Sequence, residues 1–194
     1  MKRGSFLSGI LGGVIISVLV GLLLLPMIGI FDMTATGENN ILDWWGKTNL
    51  QSTLNRRAPE TKIPDAADPS RGFDHYKSTC LRCHGSPDAQ RESWANNMLP
   101  MPPHLQKVDT QNMSDGALFY IISNGIRMTG MPAFIPDHSE EDIWDIVAVV
   151  RGLNNLTEPQ KQELQKIAAL YGHGGRRHGG GEKDAGSENG QHSH

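Results

Sequence analysis

The pentapeptide Cys80-Leu81-Arg82-Cys83-His84 constrains this chain more than any other stretch. Two thiols three positions apart can each form a thioether with one porphyrin, and the adjacent histidine can then face the iron. A Cys-x-x-Cys pair can also form a redox disulfide, half of a zinc site, or two buried thiols. The chain has only these 2 cysteines, so no second pair can complete a zinc site of four thiolates. The histidine directly after the second cysteine favours one covalently bound haem c, with Cys80, Cys83 and His84 as its binding residues.

A loop about fifty residues further along carries a candidate for the second ligand of the iron. The segment from Gly125 to Phe134 contains Met128 and Met131, and a thioether is a soft, neutral ligand that suits haem iron. Methionine more often fills gaps in a core. Here Gly130 and Pro132 constrain the backbone around Met131. The sequence therefore predicts that Met131, rather than Met128, binds the iron on the opposite face of the haem.

A histidine that binds iron needs an acceptor for its second ring nitrogen, because that hydrogen bond fixes the orientation of the ring. The stretch from Leu99 to Pro103 is rich in proline, and its backbone carbonyls have few other partners. We expect a carbonyl between Pro100 and Pro103 to accept this hydrogen bond from His84. The alternative is that this stretch is an ordinary surface loop.

Capping signals and apolar periodicity predict a haem domain over residues 68–155. The first helix is expected to run from Ser70 to Cys80 and to present Gly72 and Tyr76 for close packing. The other two helices follow the caps Ser114 and Ser139 and end near residues 124 and 152. The third helix has an apolar face that we expect to pack on the surface around Gly72 and Tyr76, and this face comprises Ile143, Ile146, Val147 and Val150.

Taken together, these features resemble a class I, monohaem cytochrome c of bacterial type. The resemblance rests on CLRCH at 80–84, on the Gly72 to Tyr76 spacing before it, on NGIRMTGMPAF at 124–134, and on the amphipathic third helix. It implies an all-α fold in which three main helices surround a covalent haem. It also implies that His84 is the proximal ligand and Met131 the distal ligand of the iron.

Residues 1–31 are predicted to be a membrane anchor that precedes this fold. No charged side chain occurs from Gly4 to Phe31, and a helix of that length crosses roughly 30 Å of hydrocarbon. A cleaved secretory signal has an apolar region of only roughly 7–15 residues, and Thr34-Ala35-Thr36 is a poor cleavage site. We therefore expect one uncleaved transmembrane helix in the cell membrane. Lys2 and Arg3 place its N-terminus in the cytoplasm and the haem domain on the periplasmic side.

The remaining segments are less informative. Residues 32–67 are expected to be a juxtamembrane connector with no clear fold of its own, in which Trp44 and Trp45 lie in the membrane interface or pack on the haem domain or a partner. Residues 156–171 are predicted to form an additional helix, and residues 172–194 to be disordered. The tail contains four histidines that suggest metal binding but have no cysteine or fixed geometry near them, namely His173, His178, His192 and His194.

An iron with two axial protein ligands has no vacant position for a substrate, so one-electron transfer is the chemistry that remains. The sequence predicts a membrane-tethered electron carrier of a respiratory chain, with redox protein partners and without catalytic residues or a small-molecule substrate. It does not separate a free carrier from a haem subunit of a larger dehydrogenase or oxidase complex. A third alternative is a gas or redox sensor in which Met131 is displaced. The net charge of −3 and the lack of a long basic run exclude nucleic acid as an expected partner.

Overall fold

The computed structural model of the chain describes residues 3–24, 34–36 and 41–174. It divides into two units, residues 1–40 and residues 41–194. In the first unit, helix α1 spans Arg3–Leu24, and its side chains from residue 9 onward are apolar or small and mostly exposed. Within the described ranges, no helix combines the length and the apolar character needed to cross a bilayer. Residues 25–31 of the predicted anchor lie outside the described residues, so the anchor stays a prediction.

The second unit is helical wherever it has regular secondary structure, and the described part of the chain contains no β-strand. Its α-helices are α2 (Ile41–Arg57), α3 (Pro69–His75), α4 (Leu81–His84), α5 (Val108–Gln111), α6 (Asp115–Asn124), α7 (Glu140–Gly152) and α8 (Glu158–Gly174). Short 3-10 turns occur at Ser93–Asn97 and Leu153–Asn155. The all-α prediction is therefore confirmed for the described residues.

The helix that carries the cysteines is longer than predicted. It begins where Asp68 accepts a hydrogen bond from the Ser70 N–H at 2.8 Å, and Pro69 fits the first helical position because no N–H is needed there. A π-helical turn at Tyr76–Cys80 joins α3 to α4, so the helical run continues past the predicted end at residue 80. It stops at Gly85, which has φ +63°, a conformation that glycine adopts at little cost.

A close crossing of α3 and α7 forms the centre of the unit. A Cβ atom on Gly72 would lie 2.1 Å from the backbone oxygen of Asp145 in α7, so only glycine fits this position without a backbone shift. The side chains beside the crossing are buried, and they are Phe73, Tyr76, Ile143, Ile146, Val147, Val149 and Val150. The predicted packing of the third helix on the surface around Gly72 and Tyr76 is confirmed.

The predicted helix caps of α6 and α7 are also confirmed. Ser114 accepts a hydrogen bond from the Ala117 N–H at 3.1 Å, and Gly125 ends α6 with φ +65°. Ser139 and Asp142 form the reciprocal capping box of α7. These side chains satisfy N–H groups that have no partner inside the helix. The signals that set the helix boundaries are therefore local in the sequence.

The expectation that residues 32–67 have no clear fold is wrong for residues 41–57, which form α2. Leu54 in its last turns is buried and attaches the helix to the domain. Trp44 and Trp45 remain 65% and 58% exposed, so they do not pack on the haem domain. Residues 58–68, between α2 and α3, contain no helix.

The additional C-terminal helix is confirmed as α8, and it packs on the domain. Leu164 is fully buried, and the Lys77 Nζ lies 2.7 Å from the Glu163 carboxylate. The helix ends at Gly174, three residues after the predicted end. The tail from residue 175 onward, with His178, His192 and His194, lies outside the described residues.

The α3–α7 crossing yields a stability prediction. Gly72→Ala should lower the free energy of unfolding by about 1–3 kcal/mol or more, because the added methyl group meets backbone and overpacking is costly. Gly152→Ala is the matched control, since a Cβ there meets nothing within 4 Å and alanine favours a helix by up to about 1 kcal/mol. Guanidinium titration of the haem-loaded chain measures both changes. Equal effects of the two substitutions would contradict the close crossing.

Candidate functional site

The two cysteines lie one after the other along the same helical run. Cys80 ends the π-helical turn and Cys83 lies in α4, and neither forms a disulfide. Burial raises the pKa of the Cys80 thiol to about 12, and burial also raises the pKa of Cys83. Both sulfurs are therefore protonated at neutral pH, whereas redox Cys-x-x-Cys pairs lower the pKa of one thiol. Among the described residues, no group of three or more His, Cys, Asp and Glu side chains could hold a metal ion, so a zinc site gains no support.

His84, directly after Cys83, has a fixed ring orientation. Its Nδ1 lies 2.7 Å from the Pro103 carbonyl oxygen, and a carbonyl only accepts, so Nδ1 carries the hydrogen. The other ring nitrogen, Nε2, has no hydrogen-bond partner among the described residues and keeps its lone pair. Burial lowers the pKa of His84, the hydrogen bond to Pro103 partly opposes this, and the nearby Arg91 and His104 lower the pKa further. The ring is thus held neutral, which is the form that binds a metal. The prediction of a carbonyl acceptor between Pro100 and Pro103 is confirmed.

Polar groups without a full set of partners lie next to the proline-rich loop. Arg91 is 8% exposed and donates a hydrogen bond to the Pro102 carbonyl, and burial lowers its pKa. No described carboxylate forms an ion pair with it. The Nδ1 of His104 is buried and has no hydrogen-bond partner in the described part of the chain. A buried cation without a counter-charge indicates room for an anionic group.

The loop between α6 and α7 presents its two methionines differently. Met131 is half-buried and packs against the core, and its N–H donates to the Thr129 hydroxyl at 3.1 Å. Met128 is 73% exposed and has φ +61°. The loop therefore turns Met131 inward and Met128 toward solvent. This arrangement favours Met131 as an iron ligand, in line with the prediction from the sequence.

The structure adds a methionine that sequence reasoning missed. A Cβ on Gly130 would lie 1.8 Å from the Cε of Met98, so Met98 packs directly on this glycine. Gly130 does not have a positive φ, so no tight turn requires glycine here, and a side chain at this position would displace the end of Met98. This contact could not be predicted from the sequence, because Met98 lies in a polar stretch 32 positions before Gly130.

The residues of this site fit a c-type haem. Cys80 and Cys83 supply the two thiols for thioether bonds, and the Nε2 of His84 is free for the iron. Met131, half-buried in the loop between α6 and α7, is the thioether predicted as the second ligand. Arg91 and His104 offer polar groups for the carboxylates of a porphyrin. A c-type haem accounts for all of these residues together. A zinc site or a disulfide would account for only some of them.

Comparison with known proteins agrees with this assignment. A family model described as cytochrome c oxidase, cbb3-type, subunit III, matches residues 67–149. The matched segment contains all four predicted haem-binding residues and less than half of the chain, and it leaves α1, α2 and α8 outside. A comparison with curated protein sequences finds no match.

The support of the proline-rich loop by Arg91 yields a second stability prediction. Arg91→Met should lower the free energy of unfolding by about 1–3 kcal/mol, because the Pro102 carbonyl loses its donor and the haem carboxylates lose the cation assigned to them above. Arg56→Met is the matched control, since Arg56 is exposed on α2 and donates only to the carbonyl of Ser52 in its own helix. Its effect should stay within about 0.5 kcal/mol. Denaturant titration of the haem-loaded chain gives both values, and a neutral Arg91→Met variant would show that the loop does not depend on this side chain.

Proposed function

We propose that this chain is an electron-transfer haem protein built around a class I c-type cytochrome domain at residues 67–149, and that it is a membrane-tethered carrier of single electrons in a respiratory chain. One observation carries the proposal. His84, fixed on the Pro103 carbonyl at 2.7 Å, follows two unpaired cysteines and has a ring nitrogen free for iron. With only 2 cysteines in the chain, the protein holds one covalent haem.

In this proposal the chain acts by holding both faces of the cofactor. Cys80 and Cys83 would attach it covalently, and His84 and Met131 would supply the two ligands of its iron. When bound, the haem supplies an iron that alternates between the ferric and ferrous states and so takes up and releases one electron. The Pro103 carbonyl keeps the His84 ring in place during this exchange. No axial position is left for a small-molecule substrate, so the chain by itself catalyses no reaction.

The membrane tether is the N-terminal segment. The uncharged run from Gly4 to Phe31 continues beyond the end of α1 at Leu24, and the described apolar side chains of α1 are exposed. Lys2 and Arg3 before this run favour a cytoplasmic N-terminus. The haem domain then lies on the periplasmic side of the cell membrane, where c-type haem is attached.

A second candidate function is favoured by the description of the matching family. That description names subunit III of a cbb3-type cytochrome c oxidase, and this chain would then be a haem subunit that passes electrons to other polypeptides of one complex. Native purification from membranes distinguishes the two candidates. Stable co-migration with other oxidoreductase subunits favours the subunit, and migration of the chain alone favours the carrier.

Covalent attachment of the haem through Cys80 and Cys83 is directly testable. We expect the haem to stay with the denatured polypeptide during acid extraction and on a denaturing gel, and the intact mass to exceed that of the chain by one haem. Cys80→Ala with Cys83→Ala should leave little folded protein, because binding of the cofactor stabilises the native state. Haem that is released by acid, or a mass without haem, would exclude the proposed attachment.

Two substitutions test whether Met131 or Met128 is the second ligand of the iron. Met131→Ala should abolish the methionine-to-ferric-iron charge-transfer band, lower the reduction potential and allow carbon monoxide to bind, because thioether ligation raises the potential and blocks the site. Met128→Ala is the control, since this side chain is exposed, and its spectrum should match that of the wild type. Absorption spectra and a redox titration decide between them. An unchanged spectrum for both variants would mean that another residue binds the iron.

A further inference from the structure

The first turn of α2 exposes three large apolar side chains. Ile41, Trp44 and Trp45 are 65%, 65% and 58% exposed. At about 100° per residue Ile41 and Trp45 lie roughly opposite Leu54, the residue through which α2 is buried against the domain, and Trp44 lies at the border between the two sides. The packing of the haem domain therefore leaves this turn uncovered.

The two tryptophans also have unused hydrogen-bond donors. The indole N–H groups of Trp44 and Trp45 have no partner among the described residues, although these side chains are held on a regular helix. Trp94, which is also exposed, differs because its indole N–H donates to the Glu92 carboxylate. An apolar ring with a free N–H suits a surface that is apolar on one side and wet on the other.

The apolar character ends after this turn. On the same outer side, the following turns of α2 carry Thr48, Ser52 and Asn55, which are polar. A helix that lies flat on a membrane or binds a long protein groove would keep apolar residues along its whole outer face. Only the tip of α2 is suited to insertion.

We propose that this tip, defined as Ile41, Trp44 and Trp45, inserts into the interface of the lipid bilayer and holds the haem domain at the membrane surface. The inference rests on the proposed membrane tether. Nine residues separate Phe31, at the end of the uncharged run, from Ile41, and such a segment spans at most roughly 30 Å. The tether therefore keeps the tip near the bilayer whatever conformation the segment adopts.

The size of the tip favours lipid over a protein partner. A stable protein interface buries roughly 800 Å² on each partner, whereas an aromatic side chain buries roughly 150–250 Å². Three side chains next to a polar surface fall well short of such an interface. Interfacial anchoring needs no complementary surface, and tryptophan is enriched at that depth of a membrane. The occupant that fits is the headgroup region of the bilayer.

Quenching by brominated lipid tests the insertion. The full haem-loaded chain is reconstituted in phosphatidylcholine vesicles whose acyl chains carry bromine next to the headgroup, and its tryptophan fluorescence is compared with that in unbrominated vesicles. We expect quenching of the wild type, loss of this quenching in Trp44→Phe/Trp45→Phe, and unchanged quenching in the matched variant Trp94→Phe. Equal quenching in the double variant and the wild type would overturn the proposal. Absence of quenching in the wild type would overturn it too.

A separate measurement isolates the tether from the tip. Washing the vesicles with alkaline carbonate removes proteins that do not span the bilayer, so retention of both the wild type and the double variant supports the tether independently of the tip. Release of the wild type would contradict the tether. In that case the quenching measured before the wash still decides whether the tip inserts.

Discussion

The close contact between α3 and α7 at Gly72 is the constraint on which the haem-binding segment depends. It brings the Asp145 carboxylate into the core, where it accepts hydrogen bonds from the Asp68 N–H at 2.6 Å and from Arg71 Nε at 2.7 Å. A buried carboxylate without such partners would cost several kcal/mol. The same contact buries Tyr76, and burial raises the pKa of its hydroxyl, so this group stays protonated and donates to the Gly85 carbonyl just after the haem motif. The crossing thereby fixes both ends of the segment that carries the cysteines.

The two loops that complete the site are held in different ways. The proline-rich loop is held through hydrogen bonds from Arg91 to Pro102 and from His84 to Pro103. The methionine loop is held by backbone hydrogen bonds such as Ile126 N–H to the Met131 carbonyl at 3.1 Å. A ligand that binds the native state stabilises it, so a covalent haem that contacts both loops would add to their stability.

The sequence predicted the parts of this protein that local signals determine. The haem motif, the caps Ser114 and Ser139, and the apolar face of α7 each depend on neighbouring residues, and the structure has them where the pattern indicated. Helix α2 was missed because Leu54 is the only side chain of the helix that is fully buried, so its apolar periodicity is weak. The contact between Met98 and Gly130 was missed because it joins distant segments through shape alone. Long-range packing of this kind leaves no periodic signal in a sequence.

The C-terminal helix α8 shows that the folded domain extends beyond the segment that the family model matches. Lys77, on the turn before Cys80, pairs with Glu163 at 2.7 Å, and the Arg82 guanidinium lies 5.3 Å from the ring centre of Tyr171. Exposed contacts of this type contribute only about 0–1 kcal/mol each. Burial of Leu164, by contrast, contributes about 1.5–3 kcal/mol. Apolar packing therefore attaches α8, and the charged pairs set its position along the haem-motif helix. Lys77 and Arg82 both lie on the helical run that carries the cysteines. Helix α8 therefore helps to hold that run in place and is not a separate arm.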